Sequence, residues 1–216
     1  MVRFALLVNV LLYAFIPMTG VRAGEPIRIV AFGDSLSAGY GLAADQAFPV
    51  RLERLLRTKG HTVTVSNAGV SGDTTAGGRE RVDWAVPAGT DAVILELGAN
   101  DALRRLPTER ARANLDAIIT KLKGRGVEVL LAGMRAPRNL GVEYANDFDR
   151  IFPELAEKHG VLLYPFFLTG IALDAKFNLA DGMHPNAAGV DVIAERILPK
   201  VEELIGRVHA KRPRTK

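Results

Sequence analysis

The sequence predicts an α/β fold in which a parallel sheet carries helices on both faces, and three observations point there. Apolar runs of strand length, rich in β-branched residues, recur five times. Segments with apolar residues at helical spacing separate them. The connections are short. Strands buried on both faces read as continuous apolar runs, and strands alternating with helices read as crossover units of a parallel sheet. Right-handed crossovers then bring every strand-to-helix loop to one edge, the edge where such folds bind ligands.

The elements follow in order. Ile27 to Phe32 is the first strand, and it stops abruptly at Gly33-Asp34-Ser35, with glycines at 39 and 41. Phe48, Leu52, Leu55 and Leu56 recur at helical spacing before Lys59-Gly60 closes that helix. Thr62 to Asn67 is the second strand, and it runs into a second glycine-rich loop, Ala68 to Thr75. Asp73, Thr74 or Thr75 is suited to cap the next helix. Asp91 to Leu97 is the third strand, ending in Gly98-Ala99-Asn100-Asp101. Thr108, Arg112, Leu115, Ile118, Ile119 and Leu122 make an amphipathic helix that stops near Gly124 and Gly126, and Val127 to Met134 is the fourth strand. Phe148, Ile151, Phe152 and Leu155 mark a further helix, in which Pro153 implies a kink or a late start. Val161 to Tyr164 is the fifth strand. A loop from Pro165 to Asn186 leads to a last helix through Val190, Ile193, Ile197, Val201 and Leu204.

The two ends read differently from this core. Arg3 precedes an apolar stretch from Phe4 to Ile16, followed by Pro17, Gly20 and Val21-Arg22-Ala23. That pattern reads as a cleaved secretory signal over residues 1–23, its apolar part too short for a comfortable membrane span of about 20 residues, with an uncleaved N-terminal anchor as the alternative. The expected product is a periplasmic or secreted domain over 24–206, with no stable membrane insertion after cleavage. Residues 207–216 are basic without apolar periodicity, and a solvated, disordered tail is expected. In all, 216 residues with 48% hydrophobic and 24% charged side chains suffice for one core, and a monomer is expected. The chain has no cysteine, which excludes disulfides and thiolate metal sites. Its net charge of +4 is mild, and no aromatic residues interleave the basic run, so nothing supports nucleic-acid binding.

Four short stretches fall after strands or in the late loop. Ser35 follows the first strand, Gly72 the second and Asn100 the third, while Asp181-Gly182-Met183-His184 lies in the last loop. Asp181, three residues before His184, is placed to accept a hydrogen bond from its imidazole and fix the tautomer. His184 would then accept the proton of Ser35, whose hydroxyl is otherwise a poor nucleophile. Asn100 supplies an amide donor and Gly72 an unobstructed backbone N–H. With the Ser35 N–H they would form an oxyanion hole, in which a single donor is worth about 3 kcal/mol. His61, His159 and His209 read as structural or surface groups. Ser71 lacks the second glycine of a GxSxG elbow. Asp34 and Asp101 read as loop organisers. No GxGxxG or HExxH pattern is present, so neither a dinucleotide nor a metal is expected.

The stretches GDSLS (33–37), SGD (71–73), GAND (98–101) and DGMHPN (181–186) resemble the four sequence blocks of the SGNH, or GDSL, hydrolase family. The similarity extends over nearly all of the chain after residue 23 and is greatest to the thioesterase, arylesterase and lysophospholipase branch. It implies a flavodoxin-like three-layer sandwich with strand order 2-1-3-4-5. It also implies a serine hydrolase that acts on small acyl esters and thioesters through an acyl-enzyme, without a cofactor. Ser35 is then the nucleophile, Asp181 and His184 complete the triad, and Ser35, Gly72 and Asn100 bind the oxyanion. Ala99 departs from the glycine frequent at that position in the family. Leu103, Met134, Phe166 and Phe167, with Leu106, Leu140 and Phe177 nearby, are expected to line an acyl groove, and residues 135–141 to form a lid. A carbohydrate O-acetyl esterase and a noncatalytic lipid or glycan binder are the alternative readings.

Overall fold

A computed structural model describes residues 25–211. The predicted signal over 1–23 and the last five residues of the predicted tail lie outside them. Five strands, Ile27–Gly33 (β1), Val63–Asn67 (β2), Ala92–Glu96 (β3), Glu128–Ala132 (β4) and Leu162–Tyr164 (β5), form one parallel sheet in the order β2-β1-β3-β4-β5. β1 and β3 are central, and Ile29 to Phe32 and Ala92 to Leu95 are buried. This explains their unbroken apolar runs, since neither face of those strands meets water.

Among the described residues, eight α-helices connect and cover the strands. They are Ser35–Ala38 (α1), Phe48–Thr58 (α2), Thr75–Ala85 (α3), Ala99–Leu103 (α4), Thr108–Gly124 (α5), Val142–Asp149 (α6), Ile151–His159 (α7) and Ala187–Lys211 (α8). α2 packs against α8, which also contacts β3, β4 and β5. α3 packs against α5, and α5 against α7. The sheet is thus the middle of three layers, as predicted.

Three expectations are refined. The helix around Pro153 starts late: α6 ends at Asp149 and α7 opens at Ile151. Pro153 therefore sits in the first turn of α7, where its missing N–H costs no intrahelical bond. α1 and α4 are single-turn helices directly after β1 and β3, where the sequence reading had only loops. The tail expectation fails over 207–211. α8 continues to Lys211 because Val208 extends the buried stripe of Val201, Leu204 and Ile205. Arg207 Nη1 also donates to the Gly160 carbonyl at 3.0 Å.

Candidate active site

β1 delivers the first group. Asp34 is the N-cap of α1 and accepts from the Leu36 N–H at 3.0 Å. Ser35 is thereby the first helical residue, so its own N–H has no intrahelical partner. The β2 loop is then pressed onto α1. A Cβ at Gly69 would stand 2.3 Å from the Ala38 nitrogen, so only glycine permits this approach. Gly72 follows with φ of 81°, a conformation suited to glycine.

Cross-ties lock the loops together. Arg81 is buried beneath them: Nε meets Asp73 Oδ2 at 2.7 Å, Nη1 donates to Ala68 O and Nη2 to Gly33 O, each at 2.8 Å. Its guanidinium also lies 4.0 Å from the centre of the Phe32 ring. Asp101 accepts from the N–H and hydroxyl of Thr75, at 2.8 and 2.6 Å. Arg104 Nη2 donates to Gly72 O at 2.7 Å. These bonds fasten the loops after β1, β2 and β3 to one another. Asp34 and Asp101 are loop organisers, as expected.

Asn100, on α4, donates one amide N–H to Asp34 Oδ2 at 3.1 Å. An amide has two N–H bonds, so fixing one aims the other. Burial raises the Asp34 carboxyl to about 6, against the lowering effect of its bonds from Leu36 and Asn100. Behind it lies Glu96, fully buried at the end of β3. Glu96 Oε2 accepts from Ser37 Oγ at 2.8 Å and from Asp34 N at 3.3 Å, while Oε1 is buried without a partner. Burial first, and the neighbouring Asp34 charge second, push Glu96 well above the usual carboxyl range. Two adjacent buried carboxyls do not both ionise, and the proton rests on Glu96.

The late loop brings the last two groups. An antiparallel bridge between Asn178 and Pro185 closes it, and Leu179 N donates to His184 O at 2.7 Å. Asp181 Oδ1 accepts from the N–H of Met183 and of His184, and Oδ2 lies 2.7 Å from His184 Nδ1. Those two backbone bonds, then the imidazole, lower the Asp181 carboxyl to about 2. An ionised Asp181 can only accept, so Nδ1 carries the proton and the Nε2 lone pair is free. His184 Nε2 lies 3.0 Å from Ser35 Oγ. The Tyr40 ring covers the imidazole, its centre 4.4 Å away.

A cavity of about 570 Å³ opens beside Ser35 and His184, lined among others by Asn100, Leu103, Met134, Arg135 and Phe166. Three of the four predicted groove residues, Leu103, Met134 and Phe166, therefore line it. Phe167 does not: it is fully buried in the core, edge-to-face against Phe48. His61 pairs with Glu202 and His159 with Asp116, consistent with structural roles. Among the described residues no cluster of His, Asp and Glu is arranged to hold a metal ion.

Residues 31–192 match the GDSL-like Lipase/Acylhydrolase family. The chain belongs to this family. Its similarities lie among family esterases. It is 38% identical over 169 residues to an arylesterase of Vibrio mimicus, covering 78% of this chain and 84% of that one. It is 33% identical over 194 residues to the thioesterase 1/protease 1/lysophospholipase L1 of Escherichia coli strain K12, covering 89% of this chain and 92% of that one. The crystal structure of AlinE4, an SGNH-hydrolase family esterase, superposes with a TM-score of 0.71 at 44% identity, over 83% of this chain and 97% of that one. The GDSL hydrolase described here is thus an enzyme that hydrolyses ester and thioester bonds of small acyl substrates.

Sequence reasoning missed two supporting residues of this GDSL site, Arg81 and Glu96. Glu96 was visible as a lone acid inside an otherwise apolar strand. Arg81 carried no such mark, because arginine on a helix is normally solvated.

Proposed function

We propose that Ser35 is the nucleophile of this hydrolase, His184 its general base and acid, and Asp181 the group that orients and charge-balances His184. The observation that carries the reading is the unbroken chain from Asp181 Oδ2 through His184 to Ser35 Oγ, at 2.7 and 3.0 Å. Ser35 Oγ attacks the acyl carbonyl carbon while its proton moves to His184 Nε2. The tetrahedral oxyanion accepts from the N–H groups of Ser35 and Gly72 and from the Asn100 amide. Collapse breaks the bond to the leaving oxygen or sulfur, which takes the proton from His184. Water then repeats the sequence on the acyl-enzyme and releases the acid. Leu103, Met134 and Phe166 hold the acyl chain, and the chemistry needs no cofactor.

The functional unit spans residues 24–206 and continues helically to 211, as an exported, monomeric protein freed of residues 1–23. Acyl-CoA is a cytosolic thioester. For an exported enzyme, aryl esters, fatty acyl esters and lysophospholipids are therefore the natural substrates. Hydrolysis of p-nitrophenyl esters from acetate to palmitate tests the assignment. The wild type turns over with an optimum set by the groove, and Ser35→Ala loses at least about 10⁴-fold in kcat. Equal rates for the two proteins would remove Ser35 from the mechanism.

A further inference from the structure

Four large apolar side chains stand in solvent around the mouth of the groove. Leu173 is 95% exposed, and Tyr40, Leu103 and Met183 are each half exposed. Leu103, Leu173 and Met183 line the cavity, and Tyr40 covers His184. Scattered apolar side chains on a surface are ordinary, whereas a group of them around one opening marks a surface that meets an apolar partner. Leu173 also has φ of 63°, a left-handed conformation that a leucine adopts only against a steric penalty. The loop therefore holds its most exposed leucine outward under strain.

Cations share this rim. Arg135 and Arg138 line the cavity, and among the described residues no aspartate or glutamate does. Asp149 neutralises Arg138. Arg135 instead lies 5.0 Å from the centre of the Phe166 ring, and Lys176 5.2 Å from that of Phe177; neither forms an ion pair among the described residues. Arg105, also in the left-handed region with φ of 50°, follows closely on Leu103 and is likewise unpaired. Two acids stand near these cations, each held by hydrogen bonds within the loop. Asp174 accepts from the Lys176 N–H, and Asp181 from Met183 and His184.

We infer that this edge of the molecule docks on an anionic phospholipid surface. Leu173, Leu103, Met183 and Tyr40 enter the interface, and Arg105, Arg135 and Lys176 sit at the level of the phosphates. Apolar insertion combined with basic side chains is the usual physics of reversible attachment to anionic membranes. An acyl ester in the bilayer then reaches the groove from lipid, without passing its chain through water. The role of docking in catalysis rests on the esterase reading; the docking itself needs no turnover.

The cysteine-free chain allows a direct test. In a Ser35→Ala background, a polarity-sensitive fluorophore is attached at Leu173→Cys or, as a control on α3, at Trp84→Cys, which is exposed. Vesicles of phosphatidylcholine are compared with and without phosphatidylglycerol. The expected result is a blue shift at 173 that requires phosphatidylglycerol, with no shift at 84. Arg105→Glu combined with Lys176→Glu weakens that binding by at least about tenfold while leaving turnover of soluble esters by the Ser35 protein unchanged. Lys176→Glu alone gives a smaller loss in the same direction. Attachment through any other segment leaves the label at 173 in water, and that result overturns the proposal. So do equal shifts at both positions, or equal binding with and without phosphatidylglycerol. A shift that grows with protein concentration in the absence of vesicles assigns the patch to a second copy and also overturns it. If docking is observed but the Ser35 protein hydrolyses no ester, the esterase assignment fails and the docking surface stands.

Discussion

The two edges of the sheet each bear a cavity, and they differ in what their polar atoms are doing. At the amino edge, where helices end, a cavity of about 390 Å³ is lined by Lys123, Glu128, Arg207 and Lys211. Lys123 caps the carbonyl of His159, Arg207 that of Gly160, and Lys211 pairs with Glu128. Cations there satisfy the last carbonyls and oppose the negative ends of α5, α7 and α8. At the carboxyl edge the pattern reverses. Asp34, Asp101 and Arg81 consume the loop ends, while Ser35, Asn100 and His184 line the cavity, with His184 Nε2 3.0 Å from Ser35 Oγ. The lesson is that charge and concavity do not make a reactive site. What sets the carboxyl edge apart is polar side chains that the fold orients beside a cavity.

Four substitutions sharpen this contrast. The largest effect belongs to Asp181→Asn. The amide can donate to Nδ1 and stabilise the wrong tautomer, so kcat falls by about 10³–10⁴ with folding retained. Steady-state kinetics beside circular dichroism would reveal it, and a loss below tenfold would break the assigned polarity of the chain. Asn100→Ala comes next, with a fall in kcat of about 10²–10³ and a smaller change in KM, because the donor acts on the transition state.

Glu96→Gln tests the buried acids through stability. Asp34 and Glu96 bind protons more tightly folded than unfolded. Their contribution is therefore present at acid pH and is lost as pH climbs from the unfolded values near 4 through about 6 for Asp34 and higher for Glu96. Removing one titrating group removes part of that loss. The difference in Tm, variant minus wild type, should rise as pH climbs above the unfolded carboxyl values. A flat difference would show that Glu96 is not held protonated by its surroundings. The smallest effect is Lys211→Ala at the other edge. It costs at most about 1 kcal/mol in denaturant unfolding, and kcat/KM is unchanged.

Much of this was legible in the sequence for a physical reason. Strands buried on both faces carry apolar runs, so Ile29 to Phe32 and Ala92 to Leu95 declare themselves. Ligand-binding groups of such a sheet follow its strands, and the proposed site residues Ser35 and Asn100 stand at run ends. What stayed hidden is set by tertiary contact. Single turns such as α1 and α4 are too short to show a period. Phe166 and Phe167 are adjacent, and which one faces the cavity depends on packing against Phe48. The end of α8 was readable after all: Leu204, Ile205 and Val208 continue the helical stripe, and the basic residues around them obscured it.

The most direct test of the central claim is covalent. A serine-directed phosphonate is incubated with the wild type and with His184→Ala, and the modified peptide is located by mass spectrometry. The account predicts one equivalent of label on Ser35 in the wild type. Labelling of His184→Ala should be slower by about 10³-fold or more, since the hydroxyl has lost its base. Label on Ser71, or equal labelling of the two proteins, would contradict it.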